Sequence, residues 1–71
     1  QQGQTLAPAP VAPSADPALA SALIADHAAA IATARRVVDH SQDPDLRRLA
    51  QTTLDTRTTE LAELRAWQAG R

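Results

Sequence analysis

The feature that most constrains this chain is a short interruption between two helical patterns, at residues 41–45 (SQDPD). Asp43 has a carboxylate that can cap a helix, and Pro44 fits the first helical position because the N–H of that residue has no partner there. Asp45 suits the positive end of the helix dipole. The sequence therefore predicts that one helix ends near residue 40, that another starts at Pro44, and that the chain folds back between them.

The predicted first helix covers residues 16–40. We expect it to begin near Asp16 and Pro17, with Ser14 or Asp16 as the cap. Its apolar residues recur at helical spacing; they are Leu19, Leu23, Ala30, Ile31, Ala34, Val37 and Val38, with His27 on the same stripe. Several further alanines favour a helix and allow a neighbouring helix to approach closely.

The predicted second helix covers residues 44–68, and Gly70 is its expected stop. Arg57 interrupts its apolar stripe, and its middle is rich in threonine, which loses rotamer freedom in a helix. This segment therefore needs support from a packed neighbour. Together the two patterns predict an all-α fold in which residues 16–69 form one domain, an antiparallel two-helix hairpin.

Residues 1–15 carry three of the five prolines of the chain among alanine and glutamine. This composition favours an extended chain, so we expect an extended N-terminal tail rich in proline and alanine. Because the chain opens on Gln1 and not on Met, we expect a processed form from which an export signal was removed, and hence a periplasmic or otherwise extracytoplasmic location. No uninterrupted apolar run reaches the ~18 residues of a membrane span, so we expect no transmembrane segment.

The hydrophobic fraction of 44% is mostly alanine, with one Trp and no Phe, Tyr or Met. A core built from this composition is thin, and one hairpin cannot cover all of its large apolar side chains. We therefore expect a protein partner, either in a hetero-oligomeric complex, including one at a membrane, or in a homodimer that forms a four-helix bundle. The expected partner-binding residues are Leu23, Ile31, Leu54, Leu61, Leu64 and Trp67. A net charge of −1 gives no reason to bind nucleic acid.

One polar layer is predicted inside the hairpin. In an antiparallel hairpin that turns near residue 42, Asp26 and His27 of the first helix lie level with Arg57 of the second. Glu60 is one turn from Arg57, but we expect it on the water-facing side. Two interpretations stay open: a ligand site, or a structural layer in which Arg57 pairs with Asp26 while His27 is hydrogen-bonded.

A transition-metal site is not expected there from the residues alone. One His without Cys or Met cannot supply the three or four ligands that such a metal takes, unless a second copy contributes, and Arg57 repels a cation. The sequence also offers no nucleophile–base pair, phosphate loop or pair of buried carboxylates, so we expect no enzymatic activity.

Three segments, residues 23–34 (LIADHAAAIATA), 43–50 (DPDLRRLA) and 59–67 (TELAELRAW), resemble the exported, ferritin-like helical family catalogued as domain-of-unknown-function family 305. The resemblance covers about residues 19–68. It implies that the hairpin is half of a ferritin-like four-helix bundle. Some members of this family are associated with copper in the periplasm.

The positions at which the family has metal ligands are largely changed in this chain. Only His27 of a paired histidine motif is retained, and Asp26 stands in place of the other. The family's methionines correspond to Leu23, Thr33 and Leu64, and its glutamine corresponds to Arg57. The resemblance therefore implies the fold without the soft ligands of a copper site, and His27 alone is left for a metal in the alternative interpretation.

These observations lead to one expected function and one alternative. We expect a non-catalytic extracytoplasmic accessory or structural subunit, without a cofactor, which docks on a larger protein assembly through its hairpin and N-terminal tail. The alternative is a periplasmic copper-binding protein in which His27 is a ligand.

Overall fold

The computed structural model describes residues 15–71, which form two helices, α1 (Asp16–His40) and α2 (Pro44–Ala69). This part of the chain contains no strand, and the helices pack against each other as an antiparallel pair. The all-α hairpin predicted from the sequence is confirmed. The N-terminal tail predicted for residues 1–15 lies outside the described residues, apart from Ala15.

The connection between the helices is fixed by side-chain caps. The Asp43 carboxylate accepts hydrogen bonds from the backbone N–H groups of Asp45, at 2.9 Å, and of Leu46, at 3.1 Å. Pro44 follows in the first turn of α2, and the Ser41 hydroxyl accepts the N–H of Asp43 at 3.1 Å. Two of the free N–H groups at the start of α2 are thereby satisfied, which makes residues 41–43 a tight and well-determined reversal.

The outer ends of the two helices differ in how they are capped. Ala15 precedes α1 without a side-chain cap, so Asp16 is the first helical residue and not the cap expected as one alternative; Ser14, the other alternative, is outside the described residues. At the other end the N–H of Gly70 donates to the carbonyls of Ala66, at 3.1 Å, and Trp67, at 3.2 Å. Gly70 is therefore the stop that the sequence predicted.

The contact between the helices is built from small side chains. The buried residues of α1 are Ala20, His27 and Ala34, spaced by seven, and α2 contributes Ala50. A repeat of seven keeps one seam of a helix facing its neighbour, and alanine lets the two backbones approach closely. No large side chain among residues 15–71 is fully buried. Most of the leucines therefore remain partly exposed.

Three of the five threonines in the middle of α2 have hydroxyls that hydrogen-bond within the helix. Thr52, Thr53 and Thr59 each donate to the backbone carbonyl four residues earlier, at 3.1–3.2 Å. Such bonds compete weakly with the helical ladder but give each of these three hydroxyls a partner. The helix thus continues through a segment of low helix propensity.

By length and composition α1 could also cross a membrane, since an 18-residue window of it has a mean hydropathy of 1.3. The sequence prediction counted uninterrupted apolar runs, whereas an alanine-rich helix passes an average-hydropathy test without such a run. A packed helix of a globular protein and a signal sequence near an N-terminus meet the same criterion. In the structure α1 packs along α2.

Candidate functional site

The site is centred on His27, the one buried polar residue in the described part of the chain, with 6% of its surface exposed. It lies on the seam of α1 between Ala20 and Ala34, where the small neighbours leave room for an imidazole. Its Nδ1 is 3.0 Å from the backbone carbonyl oxygen of Leu23, one turn earlier. This bond fixes the ring so that Nε2 points towards α2.

Across the seam, Nε2 of His27 lies 2.9 Å from Oε1 of Glu60. The same carboxylate oxygen accepts a hydrogen bond from Nη1 of Arg57 at 3.2 Å, and that nitrogen is 3.4 Å from Nε2 of His27. The three side chains therefore form one compact cluster that joins the helices. Arg57 and Glu60 are each a little under half exposed, so water reaches the cluster from one side.

The partners of His27 determine which form of the ring suits the cluster. A carbonyl oxygen and an ionised carboxylate are both acceptors, so the two contacts are complete when both ring nitrogens carry hydrogen. A ring with hydrogen on one nitrogen alone makes one of the two bonds, and Nε2 without hydrogen can instead accept the 3.4 Å contact from Arg57. The imidazole is thus held between a carbonyl oxygen, a carboxylate oxygen and a guanidinium nitrogen.

The cluster also changes the acidity of Glu60. The hydrogen bond with His27 lowers the pKa of the Glu60 carboxyl below its ordinary value of 4.5, and the charge of Arg57 lowers it further, against an opposing effect of burial. Glu60 is therefore ionised throughout the neutral range. Its negative charge offsets that of the adjacent Arg57.

The sequence prediction that Glu60 faces water on the outer side of α2 is wrong. Side chains of a helix lean towards its N-terminus and cover a spot about one residue before their own Cα. In an antiparallel pair the side chains of the two helices lean in opposite directions. The His27 side chain therefore meets Glu60, although the Cα atoms of Arg57 to Thr59 are closer in height to the Cα atom of His27. Glu60 is also three residues after Arg57 and four before Leu64, a spacing that places it beside the seam and could have identified it.

The expected ion pair between Asp26 and Arg57 is also a wrong prediction. Asp26 is exposed, and within residues 15–71 the ion-pair partner of Arg57 is Glu60. The physical reason is the helical turn of 100° per residue. With His27 on the seam, the preceding residue points to the side of the hairpin.

The residues present do not fit a transition metal. Both nitrogens of His27 are engaged, Arg57 brings a positive charge to the ring, and Leu23 and Leu64 supply no donor atom beside it. No group of three or more His, Cys, Asp or Glu side chains converges anywhere in the described hairpin. The arrangement can join the two helices, but it lacks an open coordination position.

A shallow groove of about 440 Å³ runs beside the cluster on one face of the hairpin. Three of the residues expected to bind a partner, Leu23, Leu64 and Trp67, line it together with the cluster. The other three, Ile31, Leu54 and Leu61, are half-buried and follow the other side of the seam by their helical spacing. The guanidinium of Arg71 lies 4.5 Å from the Trp67 ring centre.

A second groove, of about 470 Å³, lies nearer the turn and is lined by Ala, Thr, Val and Leu residues without a charged side chain. Leu46 and Leu49 line it from α2, and Ala30 lines it from α1. Leu23 is seven residues before Ala30 and is therefore on the same side of α1. Both grooves thus belong to one continuous face.

We call this surface the leucine face. The residues of this face that line the two grooves are Leu23, Ala30, Thr33 and Val37 on α1, and Leu46, Leu49, Thr53, Glu60, Leu64 and Trp67 on α2. Leu19 belongs to the same face because it is one helical turn before Leu23. The four most exposed large apolar residues in the described part of the chain belong to it: Leu19 at 55%, Leu23 at 44%, Leu46 at 48% and Leu49 at 54%. The sequence prediction had included only Leu23 of these four.

The comparisons with known proteins address the family of the chain. No curated protein and no solved structure matches it. The family described as "Domain of unknown function (DUF305)" matches residues 1–68, nearly the whole chain. This range includes all three segments that carry the resemblance. The chain therefore belongs to the DUF305 family.

Proposed function

We propose that this chain is a non-catalytic, extracytoplasmic accessory or structural subunit that works by docking its leucine face in a protein assembly. One observation carries the proposal: among residues 15–71, the four most exposed large apolar side chains lie on a single face. Soluble proteins scatter such residues singly, and a continuous exposed apolar face marks an interaction surface. Residues 1–15 are proposed as a second contact segment.

The thin interior supports the same proposal. Three alanines and a histidine make up the buried residues of the described hairpin, which leaves most of its large side chains in contact with water. Burying them against a partner would add the hydrophobic free energy that a small hairpin lacks by itself. The location outside the cytoplasm rests on the resemblance to exported proteins, with which an apolar helix near the N-terminal end is compatible.

The alternative, a periplasmic copper-binding protein, has less support. It rests on the retained His27, whose two ring nitrogens already have partners within the hairpin. A copper ion there would have to displace Glu60 and accept Arg57 as a neighbour.

Site-specific photo-crosslinking in the cells that produce the protein tests the proposal. In one variant a photoreactive amino acid replaces Leu49, which is on the leucine face. In the control variant it replaces Gln51, which is exposed on the other side of the seam. We expect defined protein adducts from position 49 and few from position 51. Equal adducts at the two positions, or none at either, would contradict docking through this face.

A further inference from the structure

We propose that the leucine face receives one amphipathic helix of another protein, which carries an acidic side chain where it meets Arg36 and a basic side chain where it meets Glu63. The inference rests on the proposed function and names the chemistry of the partner. It is drawn from the shape of the leucine face and from the charges at its two ends.

The two grooves of the leucine face follow one another along the boundary between the helices. Ala30 and Leu49 line the groove near the turn from opposite helices. Leu23 and Trp67 do the same for the groove near the open end, where α1 begins and α2 ends. The two grooves form a furrow that is about 27 Å long between Leu49 and Trp67, at ~1.5 Å per residue. One helix of ~10 Å diameter fits such a furrow, because helices pack by placing ridges of side chains into grooves.

The furrow provides apolar contacts along its length. Leu46 and Leu49 are exposed near the turn, where the groove has no charged lining residue. Leu19 and Leu23 are exposed near the open end. A helix covers such a surface with apolar side chains that recur every three or four residues. The partner segment that fits therefore has one apolar stripe.

Two carboxylates on the half of the face towards the open end lack a counter-charge. Glu63 lines the groove there, and Asp26 is exposed on the α1 side, three residues after Leu23. Neither forms an ion pair within residues 15–71. Glu60, by contrast, already pairs with Arg57. A basic side chain of the partner is therefore attracted to this half of the face.

The aromatic ring at the open end already holds a group of this chemistry. Arg71 places its guanidinium 4.5 Å from the centre of the Trp67 ring. A cation over an indole ring is a favourable contact. Trp67 is one turn after Glu63, so a guanidinium of the partner beside Glu63 would also be next to this ring. The open end therefore accommodates a basic side chain on an apolar stem.

The turn end of the face has the opposite charge on its α1 side. Arg36 and His40 line a shallow groove there together with Val37, a residue of the leucine face. Arg36 has no ion-pair partner within the described hairpin. The nearby carboxylates interact with the start of α2, where Asp43 caps backbone N–H groups and Asp45 lies in the first turn. An acidic side chain of the partner is therefore attracted to Arg36.

The distance between Arg36 and Glu63 defines the spacing of the partner's charges. In the antiparallel hairpin Arg36 is about level with Leu49, and Glu63 follows Leu49 by 14 residues in α2. The two charged residues are therefore about 21 Å apart along the furrow, at ~1.5 Å per residue. Two partner residues separated by the same number of positions lie on one side of a helix, because two heptads return to the same stripe. A helix with opposite charges at those positions meets an opposite charge at both ends of the face.

Fluorescence anisotropy of labelled peptides with the purified full chain tests the inference. Three synthetic helical peptides share one leucine stripe and differ only at two positions spaced by two heptads. The first has Glu and Arg at these positions, the second has Arg at both, and the third has Glu at both. We expect the first to bind about fivefold or more tightly than the others at low salt, because each of the others sets one like charge against the face. Added salt should reduce the difference.

Charge reversals on the hairpin should change which peptide is preferred. Glu63→Arg should transfer the preference to the peptide with Glu at both positions, and Arg36→Glu should transfer it to the peptide with Arg at both. Both residues are exposed, so these substitutions leave the packing between the helices intact. A preference that neither substitution changes, or no binding of any of the three peptides, would overturn the inference.

Asp39→Arg is the matched control. Asp39 is exposed and follows Val38, which is seven residues after Ile31 and therefore on the other side of the seam. The substitution makes the same change of charge as Glu63→Arg and should leave the order of the three peptides unchanged. An equal effect of the two substitutions would show that net charge, and not the leucine face, selects the peptide.

Failure of this inference is distinguishable from failure of the proposed function. Photo-adducts at position 49 that contain a second copy of this chain, or adducts with another protein when the three peptides bind equally, refute the charged helix and leave docking intact. The absence of adducts at position 49, together with no binding of any peptide, refutes both.

Discussion

Nε2 of His27 and Oε1 of Glu60 lie 2.9 Å apart, although the two residues are separated by 33 positions in the chain. This contact fixes the register of α1 against α2 near the middle of the hairpin. A second polar contact, from the Gln68 side-chain amide to the Ser21 hydroxyl at 3.2 Å, holds the same register at the open end. The remaining seam is alanine, which allows close approach but specifies register weakly.

The first prediction concerns the coupling between these residues. His27→Ala removes both hydrogen bonds of the ring and leaves a void on the seam, so we expect the free energy of unfolding to fall by about 1–3 kcal/mol. A double-mutant cycle with Glu60→Gln, measured by denaturant unfolding at one protein concentration, should show that the two substitutions are coupled.

Asp26→Asn is the matched control for that cycle. Asp26 is adjacent to His27 but exposed, and its change should be nearly additive with Arg57→Ala. Strong coupling of Asp26 to Arg57, with none between His27 and Glu60, would show that the cluster of His27, Arg57 and Glu60 does not form in solution.

The second prediction concerns pH. Because His27 and Arg57 lower the pKa of Glu60 in the folded chain, ionised Glu60 contributes stability that is present above its ordinary pKa of 4.5. This contribution is lost as the pH falls through the lower pKa of the folded state. Melting temperatures measured from neutral to acidic pH should therefore fall more steeply below about pH 4.5 for the native chain than for Glu60→Gln. Parallel curves would contradict the assignment.

The third prediction concerns the reversal at residues 41–43. Asp43→Ala leaves the N–H groups of Asp45 and Leu46 without their acceptor, and we expect a loss of about 1 kcal/mol. Asp45→Ala removes the same charge within the first turn of the helix without removing a cap. It should cost less, by an amount typical of a helix-dipole interaction. Equal losses in chemical denaturation would mean that charge, and not the cap, stabilises this end.

The fourth prediction concerns copper. Competition titration of the full chain with Cu(I) should show no tight stoichiometric binding, because Leu23, Thr33 and Leu64 stand where thioethers would be needed and both nitrogens of His27 have partners. His27→Ala should leave the titration unchanged. Tight binding that this substitution abolishes would favour the copper-binding alternative.

Local chemistry made the hairpin predictable from the sequence. Asp43 and Pro44 fix a helix start through a cap and a fixed backbone angle, and Gly70 marks a stop; none of these signals needs a distant residue. The helical spacing of the apolar residues on α1 likewise requires one inner stripe. His27 falls on that stripe, so its place on the inner face follows from the sequence alone.

Tertiary structure decided which residue His27 meets and which leucines stay uncovered. Heights estimated from residue numbers placed Asp26, His27 and Arg57 at one level of the hairpin. The lean of helical side chains instead brings Glu60 to the imidazole, and the helical turn of 100° per residue points Asp26 to the side. A helical stripe also does not reveal which of its edges faces the neighbour. The helices approach each other most closely along the alanine seam, and this packing leaves Leu19, Leu46 and Leu49 exposed on the leucine face.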